Sequence, residues 1–100
     1  TLEVAAMAHK AGFVCTPHAA NLSLVTICTM HLLRGIANAG PYLEFAIEGA
    51  DYYPWTEGLF LGDPFKVEDG HVTVSDAPGW GVEVNPDWLE ASEYGVTSIS

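Results

Sequence analysis

Apolar and polar positions divide the chain into a first half of regular elements and a loop-rich second half. Residues 2–11 are rich in alanine and have high helix propensity, and Gly12 is a residue type that ends helices. Residues 13–16 are a short apolar run of the kind seen in buried parallel strands. Pro17 ends the hydrogen-bond ladder of this run because proline has no N–H. The pattern therefore predicts a helix followed by a strand.

The next two predicted elements are a longer helix and a second strand. Asn21 is a good N-cap residue and apolar side chains recur after it at helical spacing, so we predict a helix over residues 21–37. A Gly-Pro pair closes this helix, and residues 42–47 are an apolar run of strand formers interrupted by one carboxylate. With residues 13–16 these elements predict one strand–helix–strand unit whose two strands are adjacent and parallel.

The second half mixes aromatic and acidic residues with glycine and proline. Residues 65–74 alternate around Asp69-Gly70, which predicts a β-hairpin. An Asn-Pro-Asp sequence further on predicts a short capped helical turn. We therefore divide the chain into an α/β unit over residues 1–48 and a hairpin-containing extension over residues 49–100.

Charge restricts the classes of partner. The formal net charge is −10, and the positive side chains are Lys10, Arg34 and Lys66. A nucleic-acid surface is excluded on electrostatic grounds, and an anionic membrane surface is disfavoured. No run of eighteen apolar residues is present for a membrane span.

Two further observations concern the size and compartment of the protein. Two parallel strands do not form an independent sheet without neighbours, so we expect this chain to be a segment of a larger protein. The spacing of Cys15 and Cys28 matches no zinc or redox motif. We expect two buried thiols in a reducing compartment, and hence a cytoplasmic protein.

His18 and Glu44 are the candidate functional residues. His18 follows the first predicted strand and Glu44 interrupts the second. Because ligands bind at the C-terminal ends of the strands in parallel α/β folds, we expect the two side chains near one rim of the sheet.

Each of these residues has a structural alternative. His18 can act as a general acid or base, or it can cap its loop by hydrogen bonding, and the spacing favours neither. Glu44 can be a protonated donor to a developing oxyanion, or a solvent-facing residue of an edge strand. The apolar neighbours of Glu44 favour the first interpretation. Tyr52, Tyr53 and Trp55 could line a sugar pocket or contact another part of the protein.

The order of these motifs resembles the C-terminal part of the mandelate racemase / muconate lactonizing enzyme family, the mandelate racemase branch of the enolase superfamily. The motifs that carry the resemblance are Ala-Gly-Phe-Val-Cys-Thr-Pro-His over residues 11–18, Tyr-Leu-Glu over residues 42–44 and Asp-Ala-Pro-Gly-Trp-Gly-Val over residues 76–82. The resemblance implies the last two strands and intervening helix of a modified (β/α)7β TIM-type barrel, followed by an extension to a capping domain.

The resemblance also implies chemistry. Members bind Mg²⁺ and abstract the proton α to a carboxylate. His18 matches the histidine after the seventh strand, a base or acid, and Glu44 matches the glutamate of the eighth strand, which binds the substrate carboxylate by donating a hydrogen bond. The family's three carboxylate metal ligands lie on earlier strands, so this chain is expected to hold no metal ligand and to be inactive alone.

The most specific expectation is a segment of an acid-sugar dehydratase, in which His18 is the general acid to the leaving hydroxide. The alternatives are a 2-hydroxyacid racemase and a non-catalytic interaction module. The expected partners are a sugar acid or 2-hydroxy acid and the N-terminal part of the barrel and cap. The full-length protein is expected to be a homo-oligomer.

Overall fold

A computed structural model describes residues 1–99 of the chain. The helices are α1 (Leu2–Lys10), α2 (Leu24–Gly35) and α3 (Pro86–Ala91), with a 3-10 helix at Pro54–Thr56. The strands are β1 (Phe60–Leu61), β2 (Val67–Glu68), β3 (His71–Val72) and β4 (Glu83–Val84). This mixture of helices and strands is that of an α/β protein, as the sequence predicts.

Helix α1 agrees with its prediction and ends one residue earlier than expected. Gly12 has a φ of 80°, a left-handed conformation that glycine adopts without a steric penalty. This conformation of Gly12 turns the chain so that the backbone N–H of Phe13 donates to the carbonyl of Ala8 at 2.8 Å. The chain therefore leaves the helix through a hydrogen-bonded turn and enters the first predicted strand.

Helix α2 begins three residues later than predicted, because Ser23 and not Asn21 is its N-cap. The hydroxyl of Ser23 accepts from the backbone N–H of Val25 at 3.2 Å. The side-chain oxygen of Asn21 instead accepts from the backbone N–H and the hydroxyl of Ser23, at 3.3 and 2.8 Å. Both residue types favour helix starts, and here Asn21 forms the turn that precedes the cap.

The prediction of adjacent strands at residues 13–16 and 42–47 is wrong in its extent. The structure contains one isolated parallel bridge, between Cys15 and Ala39, and residues 42–47 form no strand. The bridge consists of Cys15 N–H donating to Asn38 at 2.8 Å and Gly40 N–H donating to Cys15 at 3.0 Å. The direction is parallel, as predicted, but a longer ladder does not form because each segment has no second strand beside it.

The Asp69-Gly70 hairpin is confirmed. Strands β2 and β3 are antiparallel, with Val67 opposite Val72. Asp69 and Gly70 have φ values of 49° and 77°. Positive φ at both central positions is the geometry of a type I′ turn, whose twist matches that of the flanking strands.

The rest of the second half contains one predicted and one unpredicted element. Helix α3 is capped as expected, since the Asn85 side chain accepts from the backbone N–H of Asp87 at 3.1 Å. The antiparallel pairing of β1 with β4, with Phe60 opposite Val84, was not predicted. These strands are two residues long, too short to show an alternating pattern.

The buried core lies between α2 and the second half of the chain. Ile27, Met30 and Phe60 are its buried apolar residues. The partly buried residues packed against them are Leu43, Leu59, Phe65, Val72, Val74, Val82 and Val84. The division of the chain at residue 48 stays a prediction, but the extension clearly packs on the helix between the two predicted strand segments.

No helix within residues 1–99 is long and apolar enough to cross a membrane.

Many large apolar side chains are exposed on this segment. They include Leu2, Val4, Met7, Phe13, Val14, Tyr42 and Ile47, of which Ile47 is 97% exposed. Apolar area of this extent normally marks a surface that another part of the protein or a partner covers.

We predict that the 100-residue chain, expressed alone, binds a hydrophobic dye strongly and melts without a sharp transition. The physical reason is that exposed apolar faces contribute nothing to burial on folding and leave the chain poorly cooperative. Dye fluorescence and calorimetry on the monomer test this. A sharp two-state melt with weak dye fluorescence would contradict it.

Candidate active site

The structure brings the two predicted site residues into direct contact. The Nδ1 atom of His18 lies 2.5 Å from Oε2 of Glu44, although the residues are 26 positions apart in sequence. The His18 side chain is 84% exposed and that of Glu44 is 49% exposed. The pair therefore faces solvent, where a small molecule can reach both groups.

The parallel bridge explains why these side chains meet. His18 follows Cys15 by three residues, and Glu44 follows Ala39 by five. Since the two segments run in the same direction from the bridge, the residues that follow leave it on the same side. The sequence predicts both side chains near one rim of a sheet. The structure has a single parallel bridge in place of that sheet, and the two side chains lie together beyond it.

The surroundings of Glu44 differ from the expected apolar strand. Its carboxylate is half-exposed, because residues 42–47 are not covered by neighbouring strands. The solvent-facing interpretation of Glu44 therefore describes its position better than the buried one. Its contact with His18 nevertheless gives the carboxylate a specific partner.

The hydrogen bond between the two side chains contains one proton. Either the imidazole N–H donates to the carboxylate, or a carboxylic O–H donates to the imidazole nitrogen. Both arrangements combine a group that can give a proton with a group that can take one. Such a pair can perform acid–base chemistry on a molecule placed beside it.

The first turn of α2 holds the loop that carries His18. Thr26 is fully buried, and its hydroxyl lies 2.9 Å from the carbonyl of Ala19 and 3.2 Å from the side-chain oxygen of Asn21. Sequence reasoning did not identify Thr26 as important. The available signal was a hydroxyl residue in the first turn of an otherwise apolar helix, close to a loop of polar residues.

An aromatic cluster follows Glu44 and adjoins the same loop. The indole N–H of Trp55 donates to the carbonyl of Asn21 at 2.7 Å. The ring centroid of Tyr53 lies 5.2 Å from that of Trp55 and 4.7 Å from that of Tyr52. The three aromatics thus pack against one another, and both the sugar-pocket and the interface interpretations stay predictions.

Tyr53 lies within electrostatic reach of the candidate pair. Partial burial is the main cause that raises the pKa of Tyr53, followed by the Tyr52 phenol and the carboxylates of Glu48 and Glu44. The raised pKa makes the phenol still harder to ionise, and its causes place the Tyr53 side chain within electrostatic reach of Glu44 and Glu48.

The titratable side chains on the C-terminal half of α2 have partners elsewhere. His31 contacts the carbonyl of Trp80 at 2.9 Å, and Arg34 pairs with Asp76 at 2.6 Å, both on the far part of α2. Two cavities of about 360 and 410 Å³ flank α2, and neither is lined by His18 or Glu44.

The described residues provide too few ligands for a metal site. In the part of the chain that the structure describes, no three His, Cys, Asp or Glu side chains lie close enough together to hold a metal ion. The pair of His18 and Glu44 supplies only two candidate ligands. These residues alone do not fit a magnesium site, which needs several oxygen ligands.

Comparison with known proteins agrees with the resemblance seen in the sequence. The family described as enolase C-terminal domain-like matches residues 1–88. The crystal structure of a "putative racemase" from Roseobacter denitrificans is 62% identical to this chain, with a TM-score of 0.88. It covers 98% of this chain, whereas this chain covers 27% of that one. Comparison with curated proteins gives no match.

The family match extends over most of the chain, and the solved structure shares both its sequence and its fold. The chain therefore belongs to the mandelate racemase / muconate lactonizing enzyme family of the enolase superfamily, of which it is an enolase C-terminal domain-like segment.

Proposed function

We propose that the full-length protein containing this segment removes the proton α to a carboxylate group. The observation that carries the proposal is the 2.5 Å contact between His18 and Glu44 in a chain of this family. In this proposal His18 exchanges the proton, and Glu44 donates a hydrogen bond to the substrate carboxylate. The segment supplies the last two barrel strands and an extension to the cap.

The reaction needs both kinds of group. The proton α to a carboxylate is weakly acidic, so a base alone removes it slowly. Negative charge develops on the carboxylate oxygens as the proton leaves, and a donor already placed there lowers the barrier. A glutamic acid side chain can serve as that donor while it is protonated. The bound acid would take the place of the direct contact between His18 and Glu44.

Racemisation of a 2-hydroxy acid is the first candidate reaction. The Roseobacter denitrificans protein is named as a racemase, and the comparisons give no support for a dehydratase. Acid-sugar dehydration is the second candidate, because the polar and aromatic loop that follows Glu48 suits a polyhydroxy acid.

Magnesium is a further part of the proposal, since superfamily enzymes generally use it. The residues described here do not form its site. We propose that its ligands belong to the part of the full-length protein outside this segment.

One experiment separates these possibilities. The full-length protein is incubated in D₂O with Mg²⁺ and a panel of 2-hydroxy acids and sugar acids, and ¹H NMR follows the α-proton. Deuterium at the α-carbon without loss of a hydroxyl indicates racemisation, and a keto-acid product indicates dehydration. If no acid in the panel gives either result, the proposal is contradicted and an interaction module is favoured.

We predict that His18→Asn in the full-length protein lowers kcat by at least about 10²–10⁴-fold, the usual contribution of a general acid–base group. Asparagine keeps a polar side chain of similar size but cannot exchange the proton. The rate of α-deuteration measures the effect. His71→Asn, at an exposed histidine of β3, is the matched control and should leave the rate unchanged. Equal rates for wild type and His18→Asn would contradict the assigned role.

We predict that Glu44→Gln is milder than Glu44→Ala, because glutamine retains a hydrogen-bond donor in similar geometry whereas alanine has none. Steady-state kinetics of the three full-length proteins show the order, and circular dichroism verifies that all are folded. Glu90→Gln on α3 is a control for loss of a carboxylate elsewhere. If the glutamine and alanine variants are equally damaged while folded, Glu44 acts as an ionised group and not as a donor.

A further inference from the structure

We propose that Trp55 is a positioning residue for His18. Its indole N–H joins the segment that follows Glu44 to the loop that carries His18, and so fixes the distance between the two side chains. This inference deepens the proposed function and rests on it where activity is concerned.

The need for such a contact follows from the exposure of His18. The side chain is 84% exposed, and its partner among the described residues is Glu44. The loop also passes through Leu22 with a φ of 53°, a conformation that costs free energy for a residue with a β-carbon. Contacts elsewhere in the loop must therefore hold its shape.

Asn21 provides the fixed point in this loop. Its side-chain oxygen accepts from the backbone N–H and the hydroxyl of Ser23 and from the hydroxyl of Thr26. Thr26 is fully buried in the first turn of α2, and its one hydroxyl hydrogen is shared between Asn21 and the carbonyl of Ala19. The backbone at residue 21 is thus tied to the most buried part of the helix.

Trp55 provides the corresponding point on the other segment. It lies in the 3-10 helix Pro54–Thr56, whose Thr56 donates to the carbonyl of Tyr53 from both its N–H and its hydroxyl, at 3.0 and 2.9 Å. The Tyr53 ring packs against the indole. The 2.7 Å bond from Trp55 to the carbonyl of Asn21 therefore connects two braced segments.

The expected consequence is geometric. His18 lies three residues before Asn21, and Glu44 lies eleven residues before Trp55. The indole bond therefore joins the His18 loop to the segment after Glu44 at a second point, in addition to the contact between the two side chains. Small displacements of a reacting group are costly, since an error of about 1 Å can lower a rate by about 10²-fold. Loss of the indole donor should therefore lower kcat more than it raises KM.

The test compares full-length wild type with Trp55→Phe, which keeps an aromatic ring but has no N–H. The control is Trp80→Phe, whose indole N–H makes no hydrogen bond to the residues described. NMR of the protein labelled with ¹⁵N-histidine, with His18 assigned from His18→Asn, reports the imidazole N–H shared with Glu44. We expect its exchange with water to be faster by roughly five- to tenfold in Trp55→Phe, as for loss of one hydrogen bond, and unchanged in Trp80→Phe.

The kinetic measurement uses whichever acid the D₂O assay shows to exchange. We expect kcat to fall by roughly 10- to 100-fold in Trp55→Phe with KM changed less than about twofold. If no acid exchanges, the proposed function fails, but the NMR result still decides whether Trp55 positions His18. A His18 signal identical in wild type and Trp55→Phe would overturn the inference.

A second pair of variants covers misfolding of Trp55→Phe. Thr26→Val removes the hydroxyl that holds the other side of the loop, and Thr26→Ser restores it. The inference predicts faster exchange of the His18 N–H in the valine variant and rescue in the serine variant. Equal exchange in both would show that the loop network does not position His18.

Discussion

The parallel bridge between Cys15 and Ala39 is the contact on which the site depends. Two backbone hydrogen bonds, at 2.8 and 3.0 Å, join two distant segments side by side and in the same direction. His18 and Glu44 meet because each follows its end of the bridge by a few residues. The parallel direction of the two segments therefore brings the His18 and Glu44 side chains together.

The two candidate side chains are exposed, whereas the groups that hold their segments are buried or hydrogen-bonded. Thr26 and Asn21 fix the His18 loop to helix α2, and Trp55 extends the network to the segment after Glu44. This division is common in active sites, where loops carry the chemistry and a packed scaffold fixes the loops.

The sequence was most informative where a local rule decides the structure. Gly12 marked the end of α1, and Asp69-Gly70 specified the hairpin turn. His18 was identified because it follows a predicted strand and Glu44 because it interrupts the next apolar run, and the structure joins them. For the helix end and the hairpin turn, the nearest few residues contain the deciding information.

The sequence was less informative where distant contacts decide. Residues 42–47 have the composition of a strand but form none without strands beside them, and Asn21 forms a turn where a cap was predicted. The bond from Trp55 joins a side chain to a backbone carbonyl 34 residues away, for which no local pattern exists. This chain spans 27% of the length of the Roseobacter denitrificans chain. The absence of strands beside residues 42–47 is therefore a physical reason why an apolar run of strand formers does not form a strand here.

The central claim is that His18 and Glu44 act on one bound acid. A crystal structure of the full-length protein with the acid that exchanges its α-proton tests this most directly. The account predicts that the carboxylate of the acid accepts a hydrogen bond from Glu44, with the α-carbon beside the imidazole of His18. An acid bound elsewhere, with the two side chains still joined to each other, would contradict it.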